Sequence, residues 1–187
     1  MTARQVARLG NPVLRVMSSP FTRQEILNPS TKVLVKDMLA TMKAQNGIGL
    51  AAPQISVNKQ VVIVEIPAGM ASVKPFPRTV IFNPKLEFPT TEKIFMWEGC
   101  LSVPGLTGKV SRFKHCHMTY LDETATERKI KAVGYAAGVL QHEIDHLWGK
   151  LYVDLVDTKH LYYNEEFLKL GSAAANGVCY EGHAEFL

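Results

Sequence analysis

The run LQHEIDHLWG, Leu140 to Gly149, constrains this chain more than any other stretch. His142, Glu143 and His146 spell H-E-x-x-H, whose geometry works on an α-helix. Residues four apart on a helix stand about 40° apart around the axis and about 6 Å along it, so two imidazoles can meet one ion. Glu143 stands about 100° round, where it can reach a water at the ion without being a ligand. Val139, Leu140, Ile144 and Leu147 surround the polar residues. The helix is expected over 134–148, with Gly149 where a left-handed cap is wanted.

Other elements follow from period and punctuation. Asn28-Pro29 opens a helix that stops at Asn46-Gly47, with Val35, Met38, Leu39 and Met42 at three- and four-residue steps. Strands are expected over Gln60 to Ile66, over TVIFNPKLEF with a stop or bend at Asn83-Pro84, over His115 to Leu121 and over Thr126 to Ala132. The last two are joined by the polar turn Asp122-Glu123-Thr124. PAGMASVKPFPR reads as a surface loop, and a third helix is expected over Thr158 to Leu170. Helices flanking short strands indicate an α+β fold with antiparallel sheets, laid out as one domain over 1–170 and a loosely held tail over 171–187.

The 187 residues include 47% hydrophobic and 20% charged side chains, a globular balance with ample material for a core. A net charge of +4 without a Lys/Arg run longer than two argues against dedicated nucleic-acid recognition. No apolar stretch is long enough for a membrane helix, and the start MTARQVARLGNPVL has no secretory h-region. Three cysteines, Cys100, Cys116 and Cys179, without a framework spacing suit a reducing, cytoplasm-like compartment.

Two histidines need a third ligand. A histidine at the metzincin spacing is missing, because Tyr152 stands there. Glu165 and Glu166 lie at the distance of a gluzincin ligand. Cys100, in WEGCLSVPG, is the upstream candidate. The residues by themselves leave a zinc peptidase, a cysteine hydrolase pairing Cys100 with His142, and a degenerate binding module as competing readings.

Three segments in order, GIGLAAPQ (Gly47 to Gln54), EGCLS (Glu98 to Ser102) and QHEIDH (Gln141 to His146), resemble the peptide deformylase family. The likeness runs from LGNPVLR to LYVD. It implies a mixed fold with antiparallel sheets around the H-E-x-x-H helix, and removal of the formyl group from formyl-methionine of nascent polypeptides as formate. It implies one divalent ion held by Cys100, His142 and His146, natively iron(II), with zinc, nickel or cobalt able to take the site. Glu143 is then the general base, and the Gln54 amide and the Leu101 N–H are the donors to the developing oxyanion.

The same likeness places Ile48, Gly49 and Gly99 along the substrate. Tyr135, Gly138 and Val139 fall at helical steps before the histidines and are expected in the methionine pocket, with Met96 and Trp97 contributing from the second motif. A glycine at 138 would widen that pocket. Asp145 is a candidate to orient a neighbouring group. Thr107 stands where many relatives carry an arginine, and Lys109 or Arg112 are the candidates to compensate. The implied partner is the formyl-methionyl nascent peptide. Some relatives dock on the ribosome through a basic C-terminal helix; CYEGHAEFL has no Lys or Arg, so docking by that route is not expected. The implied location is a bacterial cytoplasm or an organelle.

Overall fold

A computed structural model of the chain describes residues 2–70, 73–171 and 182–187. In chain order the elements are α1 (Arg23–Leu27), α2 (Pro29–Ala44), β1 (Gly49–Ala51), β2 (Val61–Ile66), β3 (Phe76–Glu87), β4 (Lys93–Cys100), β5 (Val103–Phe113), β6 (His115–Leu121), β7 (Glu127–Gly134), α3 (Tyr135–Leu147), β8 (Leu161–Tyr163), α4 (Asn164–Lys169) and β9 (Gly182–Phe186), with short 3-10 turns between. Six strands form one antiparallel sheet in the order β1-β2-β3-β6-β7-β9, and β4-β5-β8 form a second.

Strand β2 shows why the layers stack as they do. All but Glu65 of its residues are buried, and they alternate between two cores. Val62, Val64 and Ile66 pack with Leu140, Ile144 and Leu147 of α3. Val61 and Ile63 pack with Val35, Met38 and Met42 of α2. Helix α3 therefore lies on one face of the large sheet and α2 on the other. A third cluster, Val103, Val110, Leu151 and Tyr152, closes the small sheet over the chain that leaves α3. Eleven of the thirteen residues of α3 are buried, as expected of a helix enclosed on all sides rather than laid on a surface. Each fully buried Leu or Ile there contributes about 1.5–3 kcal/mol.

The caps match the sequence signals. Asn28 accepts a hydrogen bond from the Ser30 N–H ahead of Pro29. Gly149 has φ +70°, and a Cβ there would meet the Arg15 backbone at 2.7 Å. The bend read at Asn83-Pro84 is a register break between Phe82 and Lys85, with Asn83 at φ +49°.

Four readings need correction. The segment 158–170 is not one helix: a 3-10 turn over Thr158–His160 and strand β8 precede the short α4, because Leu161, Tyr162 and Tyr163 complete the edge of β5. The end of PAGMASVKPFPR is strand rather than loop, since Phe76 is buried and begins β3. The second motif, where the sequence pattern predicts no strand, is framed by the β4–β5 hairpin. Of the segment expected to be a loosely held tail, Gly182–Phe186 is strand β9, paired with β7 from Ile130 to Gly134; residues 172–181, Cys179 among them, lie outside the described residues.

Candidate metal centre and peptide cavity

The β4–β5 hairpin turns tightly, with Cys100 paired to Val103 across Leu101 and Ser102. This presents Cys100 to the histidine face of α3. One donor atom each of Cys100, His142 and His146 lies within 4.8 Å of the others, and Cys100 Sγ is 3.4 Å from His146 Nε2. Metal bonds of about 2.3 Å to sulfur and 2.1 Å to nitrogen, at a tetrahedral angle, separate the donors by about 3.6 Å. The cluster has the right spacing and the right donor chemistry for one ion. Glu165 and Glu166 are exposed on α4, Glu166 paired with Lys169, so neither is the third ligand.

His142 is oriented by a residue to which the sequence reading gave no role. Its Nδ1 donates to Glu98 Oε2 at 2.7 Å, which leaves Nε2 for the cluster. Glu98 is in turn gripped by Arg112, from Nε at 2.7 Å and Nη2 at 2.9 Å, and Arg112 also donates to Asp145. Glu98 and Arg112 are 3% and 5% exposed, so this chain of charges is internal. Burial opposes the charged form of Glu98, but its bonds to Arg112 and His142 prevail and hold its carboxyl down at about 2. Arg112 is thus a structural ion locked behind the histidine, not a substitute contact for peptide. Lys109 stacks its ammonium over Phe95 at 5.0 Å. Thr107 donates to Asn164 at 2.8 Å on the cavity wall.

Gln54 sits on the 3-10 turn after β1. Its Oε1 accepts from the Ala51 N–H at 2.8 Å, which sets the amide so that Nε2 faces Cys100 Sγ at 3.5 Å and Ser102 Oγ at 3.2 Å. Glu143 is buried, and its Oε2 has no hydrogen-bond partner. Burial pushes its carboxyl up to about 7, against the pull of His142 and with the push of Glu98. Burial also opposes a charged His142, yet hydrogen bonds with Cys100 and Glu98 raise its pKa well above the usual value. His146, buried and facing His142 and Arg112, is driven well below it.

These groups open into a cavity of about 460 Å³. Gln54, Cys100, Leu101, His142 and Glu143 are among its lining residues. Ile48, Gly49, Gly99, Trp97, Met96, Tyr135 and Val139 contribute to its walls, and Met70 and Leu106, not singled out in the sequence, join them. Gly138 does not line it: Met96 occupies the space in front of that glycine, so the expected widening does not occur. A second cavity, of about 700 Å³, shares Gln45, Leu101 and Pro104 with the first and runs under the N-terminal arm past Arg4 and Arg8.

A thiol–diimidazole cluster with both imidazoles buried, flanked by a carboxylate and opening into a cavity, defines a metal-dependent hydrolase class. Comparison with known proteins narrows it. Residues 3–161 match the family model described as polypeptide deformylase. The chain is 42% identical over 173 residues to a peptide deformylase of Leptospira biflexa, covering 89% of this chain and 95% of that protein. It is 32% identical to the mitochondrial peptide deformylase of Homo sapiens over 82% of this chain and 68% of that one. A Met-Ala-Ser-bound crystal structure of the class I type b enzyme from Acinetobacter baumannii superposes with a TM-score of 0.79 at 33% identity, covering 83% of this chain and 99% of that one. The chain belongs to the polypeptide deformylase family.

Proposed function

We propose that this protein removes the formyl group from the N-terminal methionine of nascent polypeptides, and that Cys100, His142 and His146 hold the single divalent ion that the reaction needs. The observation that carries the reading is that the Gln54 amide, Glu143 with its Oε2 free of hydrogen bonds, and Cys100 and His142 of the thiol–diimidazole cluster all line one cavity. When bound, the ion supplies Lewis acidity toward the formyl carbonyl and toward water. Glu143 takes the proton of the attacking water on its free Oε2 and returns it to the departing amine nitrogen. The formyl C–N bond breaks, giving formate and a free amino terminus. A buried carboxylate beside the cluster, with one oxygen free of hydrogen bonds, is placed for both transfers. Gln54 Nε2–H, with the Leu101 N–H, faces the oxygen on which charge develops; one such donor is worth about 3 kcal/mol of barrier.

We assign iron(II) as the native ion on the family resemblance, with zinc, nickel and cobalt compatible with a Cys-His-His set. Among the described residues no helix is long and apolar enough to cross a membrane. The bacterial sources of most of the relatives support a bacterial cytoplasm as the place of action.

Formate release from formyl-Met-Ala-Ser, with protein loaded anaerobically with iron(II) or with nickel, tests the reading. Turnover abolished by chelator and by Cys100→Ala is expected. Stoichiometric metal without formate would overturn it in favour of another amide substrate.

A further inference from the structure

We infer that Met96 and Gly138 form a space-sharing pair that sets the length of side chain the apolar pocket accepts. This rests on the deformylase reading of the site and concerns which amino-terminal residue it takes.

A Cβ built on Gly138 would lie 2.1 Å from Met96 Sδ and 3.2 Å from Met96 Cε. The thioether therefore lies directly on the glycine of α3, in the volume that any other side chain at 138 would fill. Met96 is 2% exposed, yet it forms part of the cavity wall together with Ile48, Met70, Tyr135 and Val139. In front of position 138 the wall is thus supplied by Met96 of strand β4 and not by a side chain of the helix.

The surroundings determine where Met96 can go. Its backbone is fixed by pairing with Val110 on β5. On the far side Arg112 Cγ lies 3.8 Å from the same Cβ position, and that guanidinium is held by Glu98 and Asp145. To reach ordinary contact with an alanine at 138, Sδ must withdraw by about 1.3 Å, from 2.1 to 3.4 Å. With three rotatable bonds the methionine can do so without disturbing its strand. The open direction is the cavity. A methyl group added at 138 is thereby transmitted into a shorter pocket, and a truncated residue at 96 into a longer one.

The test is kcat/KM for a series of formyl-Xaa-Ala-Ser peptides with unbranched Xaa side chains, from alanine through norvaline and methionine to 2-aminooctanoate, using the nickel-loaded protein. Affinity for the product peptides Met-Ala-Ser and Ala-Ala-Ser is measured by calorimetry on the same variants. Gly138→Ala is expected to lower kcat/KM for formyl-methionine by about tenfold or more, the scale of one lost methylene, with the alanine peptide little changed. Met96→Ala is expected to shift the optimum toward 2-aminooctanoate. The double variant is expected to recover most of the methionine activity lost in Gly138→Ala. Equal loss across the series, or a double variant no better than the product of the two single effects, would overturn the pairing. If Gly138→Ala does not fold, the length profile of Met96→Ala decides alone. Absence of formate from every peptide with the parent protein would count against the deformylase reading instead, and the calorimetric ratio would still judge the pocket.

Discussion

A Cβ on Gly49 would lie 2.1 Å from Oε1 of Glu143 and 2.4 Å from its Cδ, so the glycine in the first motif is required by the carboxylate in the third. Gly49→Ala must displace Glu143 by more than an ångström while leaving Cys100, His142 and His146 in place. Turnover is expected to fall about a hundredfold with metal content unchanged, read by formate release and elemental analysis on one sample. Glu98 gives the complementary case. Replacing its charge by an amide, Glu98→Gln, weakens the hold on His142 Nδ1 and leaves Arg112 short of a partner. Metal affinity is expected to drop by about 10–100-fold in competition with a chelator. Neither dependence is legible from spacing. Glu98 stands inside a quoted motif, but the residues that give it a role are Arg112 and His142, one on the neighbouring strand and one on helix α3, 44 residues further along the chain.

At the scale of elements, the turn between β6 and β7 shows local chemistry that a sequence does carry. Asp122 Oδ1 accepts from the N–H groups of Thr124 and Thr126 and from the Thr124 hydroxyl, while Oδ2 accepts from Arg128. Burial opposes its charge, but these bonds prevail and hold the carboxyl near 2, against an ordinary 3.8. Because the folded value lies below the unfolded one, the stabilisation is complete above about pH 4 and is lost as the pH falls through 2. Its size, discounted for solvent screening at an open turn, is about 1 kcal/mol. Asp122→Asn is expected to lower stability by that order at pH 7 and to match the parent protein below pH 2, measured by urea unfolding at several pH values. The β4–β5 hairpin marks the opposite limit. Its residues mix Gly, Pro and charge with no clean alternation, since β4 and β5 bury only scattered positions. The pairing is decided by what covers it: β8 along one edge and Tyr152 and Leu151 beneath.

For the whole molecule, the C-terminal strand is the feature that composition most misrepresents. A small-residue stretch ending in HAEFL reads as loose chain, yet β9 runs along β7 and sets Phe186 against Phe76 at 5.2 Å. Deleting 182–187 uncovers the β7 backbone from Ile130 to Gly134 and turns a paired strand into an open edge. The expected result is a lower thermal midpoint, by about 2–4 °C for each kcal/mol lost in a chain of this length, with aggregation on heating. Formate release at 25 °C should persist, since none of these residues lines the cavity at the cluster.

What the sequence determined by itself is whatever depends on short separations. That includes the helix that spaces His142 and His146, the cap at Gly149, the Asn28-Pro29 start of α2, the strands of plain apolar period and, through three ordered motifs, the family. Those features depend on backbone geometry and capping within a few residues, and the chain carries them openly. Tertiary structure alone decided that Arg112 lies buried behind the histidine rather than facing peptide. It also decided that the space before Gly138 is filled by Met96, and that the last strand closes the sheet. In each case the deciding contact joins residues far apart in sequence, and the outcome depends on which surfaces remain once the two sheets have closed around α3.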